Sequence, residues 1–231
     1  MDQKGQTGTA QARDVQIPAG AAMLAGELNV PVGATGVVLF AHGSGSSRHS
    51  PRNQAVARTI RAQGVGTLLF DLLTREEEAV DVRTRHLRFD IGLLAERLVD
   101  ATNWLKGEEG TGHLRVGYFG SSTGGGAALV AAARIGEEVG AVVSRGGRPD
   151  LAGEALKRVQ SPTLLIVGGF DEPVIRMNEE AYAWLRCEKE LKIVPGATHL
   201  FEEPGTLEEV ARLAAEWFKR YLQPQASTAT G

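Results

Sequence analysis

The feature that most constrains this chain is a set of five short runs that are apolar on both faces: VVLFA at 37–41, TLLF at 67–70, VGYF at 116–119, AVVS at 141–144 and TLLIVG at 163–168. A strand with one wet face alternates apolar and polar residues. A strand apolar throughout has to be covered on both sides, as in a parallel sheet held between two helical layers. The expected strands are Asp14–Ile17, Met23–Val30, Gly36–Ala41, Gly66–Phe70, Leu114–Phe119, Ala141–Ser144, Thr163–Val167 and Glu190–Val194. No helical pattern separates the first two, so an antiparallel edge is expected there.

Helical periodicity fills the remaining gaps. Ile91, Leu94, Ala95, Leu98, Thr102 and Leu105 make one buried stripe over 90–106, and 127–135 is apolar nearly all round. The last helix buries Leu207, Val210, Ala211, Ala214, Trp217, Phe218 and Tyr221, with Thr206 and Glu209 at capping-box spacing. Ser50-Pro51 reads as an N-cap followed by proline at the first helical position. Strand–helix alternation of this kind predicts a doubly wound, mostly parallel eight-stranded α/β sheet with right-handed crossovers.

With 231 residues, 42% hydrophobic and 23% charged, the chain is long enough for a real core within one domain, expected over 13–222. The small polar segments 1–12 and 223–231 read as disordered. No apolar run approaches the ~20 residues of a membrane span. The polar start lacks a signal peptide's apolar core. A single cysteine, Cys187, excludes an internal disulfide framework and fits a reducing, cytoplasmic setting. A net charge of −3 gives no pull toward nucleic acid, and association into a homodimer stays open.

In such a sheet chemistry gathers in the loops after the carboxyl ends of the strands. After Phe119 comes Gly120-Ser121-Ser122-Thr123-Gly124, a G-x-S-x-G between a strand and a helix. That turn lifts a serine hydroxyl off the sheet and sets it at a helix N-terminus, where backbone N–H groups favour an anion. The plain alternative is a glycine-rich turn without chemistry. A serine nucleophile needs a base and the base an orienting acid. His199 follows the last strand in PGATHLFEE, and Asp171 is the first carboxylate after the preceding one, with Glu172 as fallback. Taken singly, His199 could be a surface residue and Asp171 an N-cap. The order Ser, Asp, His, each at a strand's carboxyl end, favours a catalytic set.

Strand 36–41 runs into His42-Gly43-Ser44-Gly45-Ser46-Ser47, a small-residue loop able to aim the N–H of Ser44 or Gly45 at the same point as the N–H of Thr123. Two such donors would form an oxyanion hole, each typically worth about 3 kcal/mol. The loop lacks the Gly-Lys-Ser/Thr ending of a phosphate cradle, and His42 reads as a structural residue beneath it. No metal-ligand spacing is present, Cys187 is placed at a helix end, and no cofactor is expected.

HGSGSS, GYFGSSTGGGAAL, GGFDEPV and PGATHLFEEPG resemble the α/β-hydrolase superfamily, and within it the dienelactone-hydrolase-like branch, over about 14–222. The resemblance implies Ser122 as nucleophile, Asp171 as acid, His199 as base, and Thr123 with Ser44 or its neighbour as oxyanion donors. Dienelactone hydrolases proper carry cysteine where this chain has Ser122, a departure that favours hydrolysis of ordinary esters. Relatives also occur joined to phosphoribosyltransferase-like segments, and no segment of that kind is expected within these residues.

Only about 18 residues separate Ser144 from Thr163, too few for a lid domain, so a small ester is the expected substrate. Arg145, in Ser144-Arg145-Gly146-Gly147-Arg148, could hold a substrate carboxylate in two parallel hydrogen bonds, or pair at the surface with Asp150 or Glu154. Ser121 is a further candidate for substrate binding. The charge-dense run 74–89 reads as a solvated helix face, with a short cap over the site as the alternative. The rival functions are a lactone or dienelactone hydrolase and a hydrolase-fold binding protein without turnover.

Overall fold

The computed structural model of the protein describes residues 12–223. The terminal segments 1–12 and 223–231 therefore lie, except for Ala12 and Gln223, outside the described residues.

Eight strands form a single sheet. In chain order they are β1 (Arg13–Ala19), β2 (Ala22–Asn29), β3 (Gly36–Ala41), β4 (Gly66–Phe70), β5 (Arg115–Ser121), β6 (Val139–Arg145), β7 (Thr163–Gly168) and β8 (Lys189–Val194). Their spatial order is β1-β2-β4-β3-β5-β6-β7-β8. The pairs β1–β2 and β2–β4 are antiparallel, and every other pair is parallel. Every residue of β3, β4, β6 and β7 is buried, as the doubly apolar runs require. Among the parallel strands β8, at the edge, carries exposed residues such as Ile193, as do the antiparallel strands β1 and β2.

The helices are α1 (Pro51–Ala62), α2 (Arg75–Thr84), α3 (Ile91–Gly107), α4 (Thr123–Ile135), α5 (Glu172–Trp184) and α6 (Thr206–Tyr221). One face of the sheet packs Leu39, Leu68, Tyr118 and Leu165 against Leu94, Leu98, Leu129 and Ala132 from α3 and α4. The other packs Phe40, Phe119, Val143 and Ile166 against Val56 and Ile60 of α1 and Val210, Ala214 and Phe218 of α6. Burying each large side chain contributes roughly 2–3 kcal/mol, so the two layers fix the sheet edge on which the loops stand.

Ser50 caps α1 as expected, accepting a hydrogen bond from the Asn53 N–H at 3.4 Å, with Pro51 next. Two local expectations are corrected. The start of α6 carries no capping box: Gly205 is its N-cap, Thr206 Oγ1 donates to Glu203 O at 2.7 Å, and Glu209 is taken by Arg212. A capping box forms instead at Thr74–Glu77, opening α2. Cys187 lies not at a helix end but in the turn between α5 and β8, where burial raises its thiol pKa.

Candidate active site

β5 runs straight into α4 through Ser122, whose φ of 49° and ψ of −122° lie where a serine rarely sits. Such a conformation costs of order 1–3 kcal/mol and persists only where the surroundings impose it. They do so through glycine. A Cβ on Gly120 would stand 2.4 Å from Gly124 O, and one on Gly124 would stand 2.1 Å from Ala41 O. No side chain fits at either place, and both glycines of the motif are needed for strand and helix to close on each other. Ser122 N–H donates to Arg145 O at 3.4 Å, while Ser122 O accepts from the N–H groups of Gly125 and Arg148, both at 3.0 Å. No side chain caps α4, so its first amides, Thr123 among them, face outward at the positive end of the helix.

Asp171 stands at the N-cap of α5 without capping it. Its carboxylate instead reaches His199 in the loop between β8 and α6, with Oδ2 at 2.6 Å from Nδ1. An ionised carboxylate only accepts, so Nδ1 carries the proton and Nε2 keeps its lone pair. Asp171 is largely shielded and His199 is 39% exposed, which leaves the ring open to a substrate. Glu172, the fallback acid, is 79% exposed beside Arg176.

The His199 loop is held on both sides. Glu203 accepts from Thr198 N–H at 3.0 Å and from Thr198 Oγ1 at 2.6 Å. Phe201 is buried at a φ of 55° and anchors the loop in the core. Gly146 lies against the ring: a Cβ there would be 3.6 Å from His199 Cε1. Across the elbow, a Cβ on Gly43 would be 3.1 Å from Ser122 Cβ. Gly43 thus borders Ser122, and Gly146, next to the Arg145 carbonyl that Ser122 N–H meets, borders His199.

His42 accepts from Leu72 N–H at Nε2, and its Nδ1–H donates to Gly43 O, both at 3.0 Å. Burial lowers its pKa, so it stays neutral, a structural tie beneath the loop. Ser46 N–H closes the turn on Gly43 O, and Gly45 takes a φ of 70° that suits glycine. Ser44 Oγ lies 3.1 Å from Thr123 Oγ1, fastening the loop to the start of α4. Ser44, Gly45, Thr123, Asp71, Leu73 and Arg88 line a small pocket of about 30 Å³ beside the elbow, which Ser122 and His199 do not line.

The run 74–89 is a largely solvated helix face, with Asp81 the one buried residue of α2, and its end also borders that pocket. After α2, Arg85 turns the chain back at a φ of 57°, and a 3₁₀ turn at Leu87–Phe89 brings Arg88 over Gly45. The buried Asp81 carboxylate holds that turn, accepting from the N–H groups of Leu87 at 2.7 Å and Arg88 at 3.2 Å and from Arg88 Nε at 2.5 Å. Arg48 likewise binds Asp71. Sequence pattern missed these anchors. The Thr74-x-x-Glu77 spacing was a local signal only for the start of α2.

The remaining candidates lie beneath the site. Ser121 is buried, and its hydroxyl donates to Asn53 Oδ1 at 3.2 Å, so it faces α1. Arg145 pairs with neither Asp150 nor Glu154: Asp150 is held by Arg148 at 2.7 and 2.8 Å, and Glu154 by Lys157. Arg145 is 7% exposed, with its guanidinium 5.8 Å from the centre of the Phe201 ring. Among the described residues no group of three or more His, Cys, Asp or Glu side chains could hold a metal, and no helix is long and apolar enough to cross a membrane.

Comparison with known proteins agrees with this fold. The chain is 58% identical over 209 residues to a Mycobacterium tuberculosis protein provisionally named a phosphoribosyl transferase, covering 90% of this chain and 46% of that one. It thus spans about half the length of the curated relatives it matches. The crystal structure of a dienelactone hydrolase from Anabaena variabilis superposes with a TM-score of 0.92 at 63% identity, over 93% of this chain and 100% of that one. An esterase of Pyrococcus furiosus, only 19% identical, shares the fold with a TM-score of 0.75 over 92% of this chain and 94% of its own. The model of the dienelactone hydrolase family matches residues 21–224, from the second strand past the last helix, and the chain belongs to that family.

Proposed function

We propose that the protein is a serine hydrolase that cleaves small, short-acyl carboxylic esters through an acyl-enzyme on Ser122. The observation that carries this reading is the 2.6 Å contact of Asp171 with His199 Nδ1, made by an N-cap aspartate that leaves its own helix uncapped. In the mechanism His199 Nε2 takes the Ser122 proton as Oγ attacks the ester carbonyl. The N–H groups of Thr123 and of Ser44 or Gly45 receive the oxyanion. His199 protonates the leaving alcohol, then activates the water that releases the acid, while Asp171 holds the imidazole in one tautomer. The reading needs no cofactor and places the protein in the cytoplasm. The short β6–β7 connection, which leaves no room for a lid domain, supports a short acyl chain.

The test is hydrolysis of p-nitrophenyl acetate, butyrate and decanoate by the wild type and by Ser122→Ala, with folding checked by circular dichroism. We expect activity to fall with acyl length and Ser122→Ala to lose about 10⁴-fold or more. A folded Ser122→Ala that keeps its activity would overturn the assignment. A wild type that neither turns over nor reacts with a fluorophosphonate would favour a binding protein.

A second reading is lactone hydrolysis, favoured by the 63% identical dienelactone hydrolase. Comparing a cyclic with an acyclic ester of equal carbon number separates the two.

A further inference from the structure

Arg145 has no counter-charge among the described residues. Its Nε and Nη1 are buried without a hydrogen-bond partner, although the residue is only 7% exposed. The register aims the side chain: Arg145 pairs with Ser121 across β5–β6, and Ser121 bonds Asn53 in the first turn of α1, so both point to the α1 face. There the guanidinium lies over the Phe201 ring, and Arg52, next to Asn53 in the chain and bonded to Glu202 beside Phe201, brings a second cation to the same face, its Nε also buried and unpartnered. Burial, and then the charge of Arg52, push the Arg145 pKa down to about 10. The carboxylate nearby, Glu202, accepts from Arg52 Nη1 at 3.1 Å and is 63% exposed, so it offsets little.

Two like charges on one face with three donor nitrogens unused is an arrangement that a buried cation tolerates poorly. It is the arrangement that one anionic group completes. We propose that Arg145 and Arg52 form a buried binding site for a single small anion, of halide or carboxylate size, beneath the His199 loop. The planar guanidinium of Arg145 offers two parallel donors to it, and Arg52, at the partly exposed end, admits it. The site touches the reaction centre through the backbone, because Arg145 O accepts the Ser122 N–H and the next residue, Gly146, lies against the His199 ring. The anionic group is either a free ion or a carboxylate on the acyl part of the substrate. Only the second source rests on the hydrolase reading.

Thermal unfolding in sodium chloride against sodium gluconate of equal ionic strength, for the wild type and Arg145→Met, distinguishes the two sources. A free anion at ten times its dissociation constant should raise the wild-type Tm by about 3 °C and leave Arg145→Met unmoved. This readout needs no turnover, so its failure is separable from a failure of Ser122. In the second arm, kcat/KM for p-nitrophenyl hemisuccinate relative to the butyrate ester should fall about tenfold in Arg145→Met if the substrate supplies the carboxylate. Arg52→Gln, at a partly exposed position, should weaken either effect and stands in if Arg145→Met does not fold. A positive result in one arm supports the site and names its source. Equal chloride shifts in wild type and variant, or no change in both arms, would overturn it.

Discussion

The elbow is flanked by arginines on both sides, and the two flanks are built in opposite ways. Toward α2 the arginines that are at least half-buried each have an acid: Arg88 on Asp81, Arg48 on Asp71, and Arg97 on Glu77, the last at 2.6 and 3.1 Å. Toward α1, Arg145 is more deeply buried than Arg48 or Arg88 and has no acid at all. The difference separates two uses of the same side chain. A partnered arginine fastens one stretch of backbone to another. An unpartnered one holds a charge ready for something that arrives. If so, removing cations on the α2 flank should weaken the fold, while removing Arg145 should weaken binding and leave the fold nearly untouched.

The largest effect should come from Arg97→Met. The substitution keeps the apolar stem but strips Glu77 of its charged partner and Leu72 O of a donor, leaving the carboxylate only the Thr74 N–H. Breaking a fully buried pair costs 3–5 kcal/mol. The Glu77 side chain retains 29% exposure, so about 2 kcal/mol is expected, a fall in Tm of about 6 °C. Urea denaturation with an unchanged m-value checks it. A loss no larger than that of an exposed pair would mean the α2 flank is ornamental.

A smaller effect separates the flanks by pH. Burial pushes the Asp81 carboxyl up, but hydrogen bonds from the Arg88 side chain and from the Arg88 and Leu87 N–H groups outweigh it and hold it below its ordinary value. Glu77 is held low in the same way by Arg97 and Thr74. A carboxyl whose folded value is depressed contributes stability above its unfolded value, and the contribution is lost as pH falls through the folded one. The 74–89 insert should therefore loosen below about pH 4, near the unfolded carboxylate values. The β6 flank bonds backbone to backbone, with Gly146 N–H on Ile166 O at 2.7 Å. Amide protection at Leu87 and Arg88 should drop between pH 5 and pH 3 while that at Gly146 holds. A parallel drop at all three would show that the flanks do not open separately.

What could be read from the chain follows the same division. The elbow was legible because its logic is contained in five residues: a strand, two glycines that admit no Cβ, and a helix. Asp171 and His199 were legible because a parallel sheet delivers the residue after each strand to one edge. Thr74 and Thr206 show where local pattern stops. Both head a T-x-x-E, yet only Thr74 forms the box, because Gly205 at a φ of 81° starts α6 one residue early and Arg212 occupies Glu209. The burial of Arg145 was not legible. It follows from the strand register with Ser121 and from where α1 and Phe201 pack, which no window along the sequence contains.

The smallest expected effect is also the sharpest. In gluconate, Arg145→Met should move the Tm by no more than about 1 °C, against about 6 °C for Arg97→Met. Both substitutions exchange a buried arginine for the same flexible apolar chain, so the lost stem packing is equal to first order. They differ in what remains. Arg97→Met leaves a carboxylate without its counter-charge and a carbonyl without that donor, whereas Arg145→Met leaves only the face of Phe201. The arginine–ring contact is worth about 1–2 kcal/mol when desolvated, and burying the guanidinium costs at least as much, so the two nearly cancel. Equal losses in the two variants would break the comparison and mean that Phe201 alone holds Arg145. A stable Arg145→Met that has also lost its response to chloride would put the worth of that arginine in the anion.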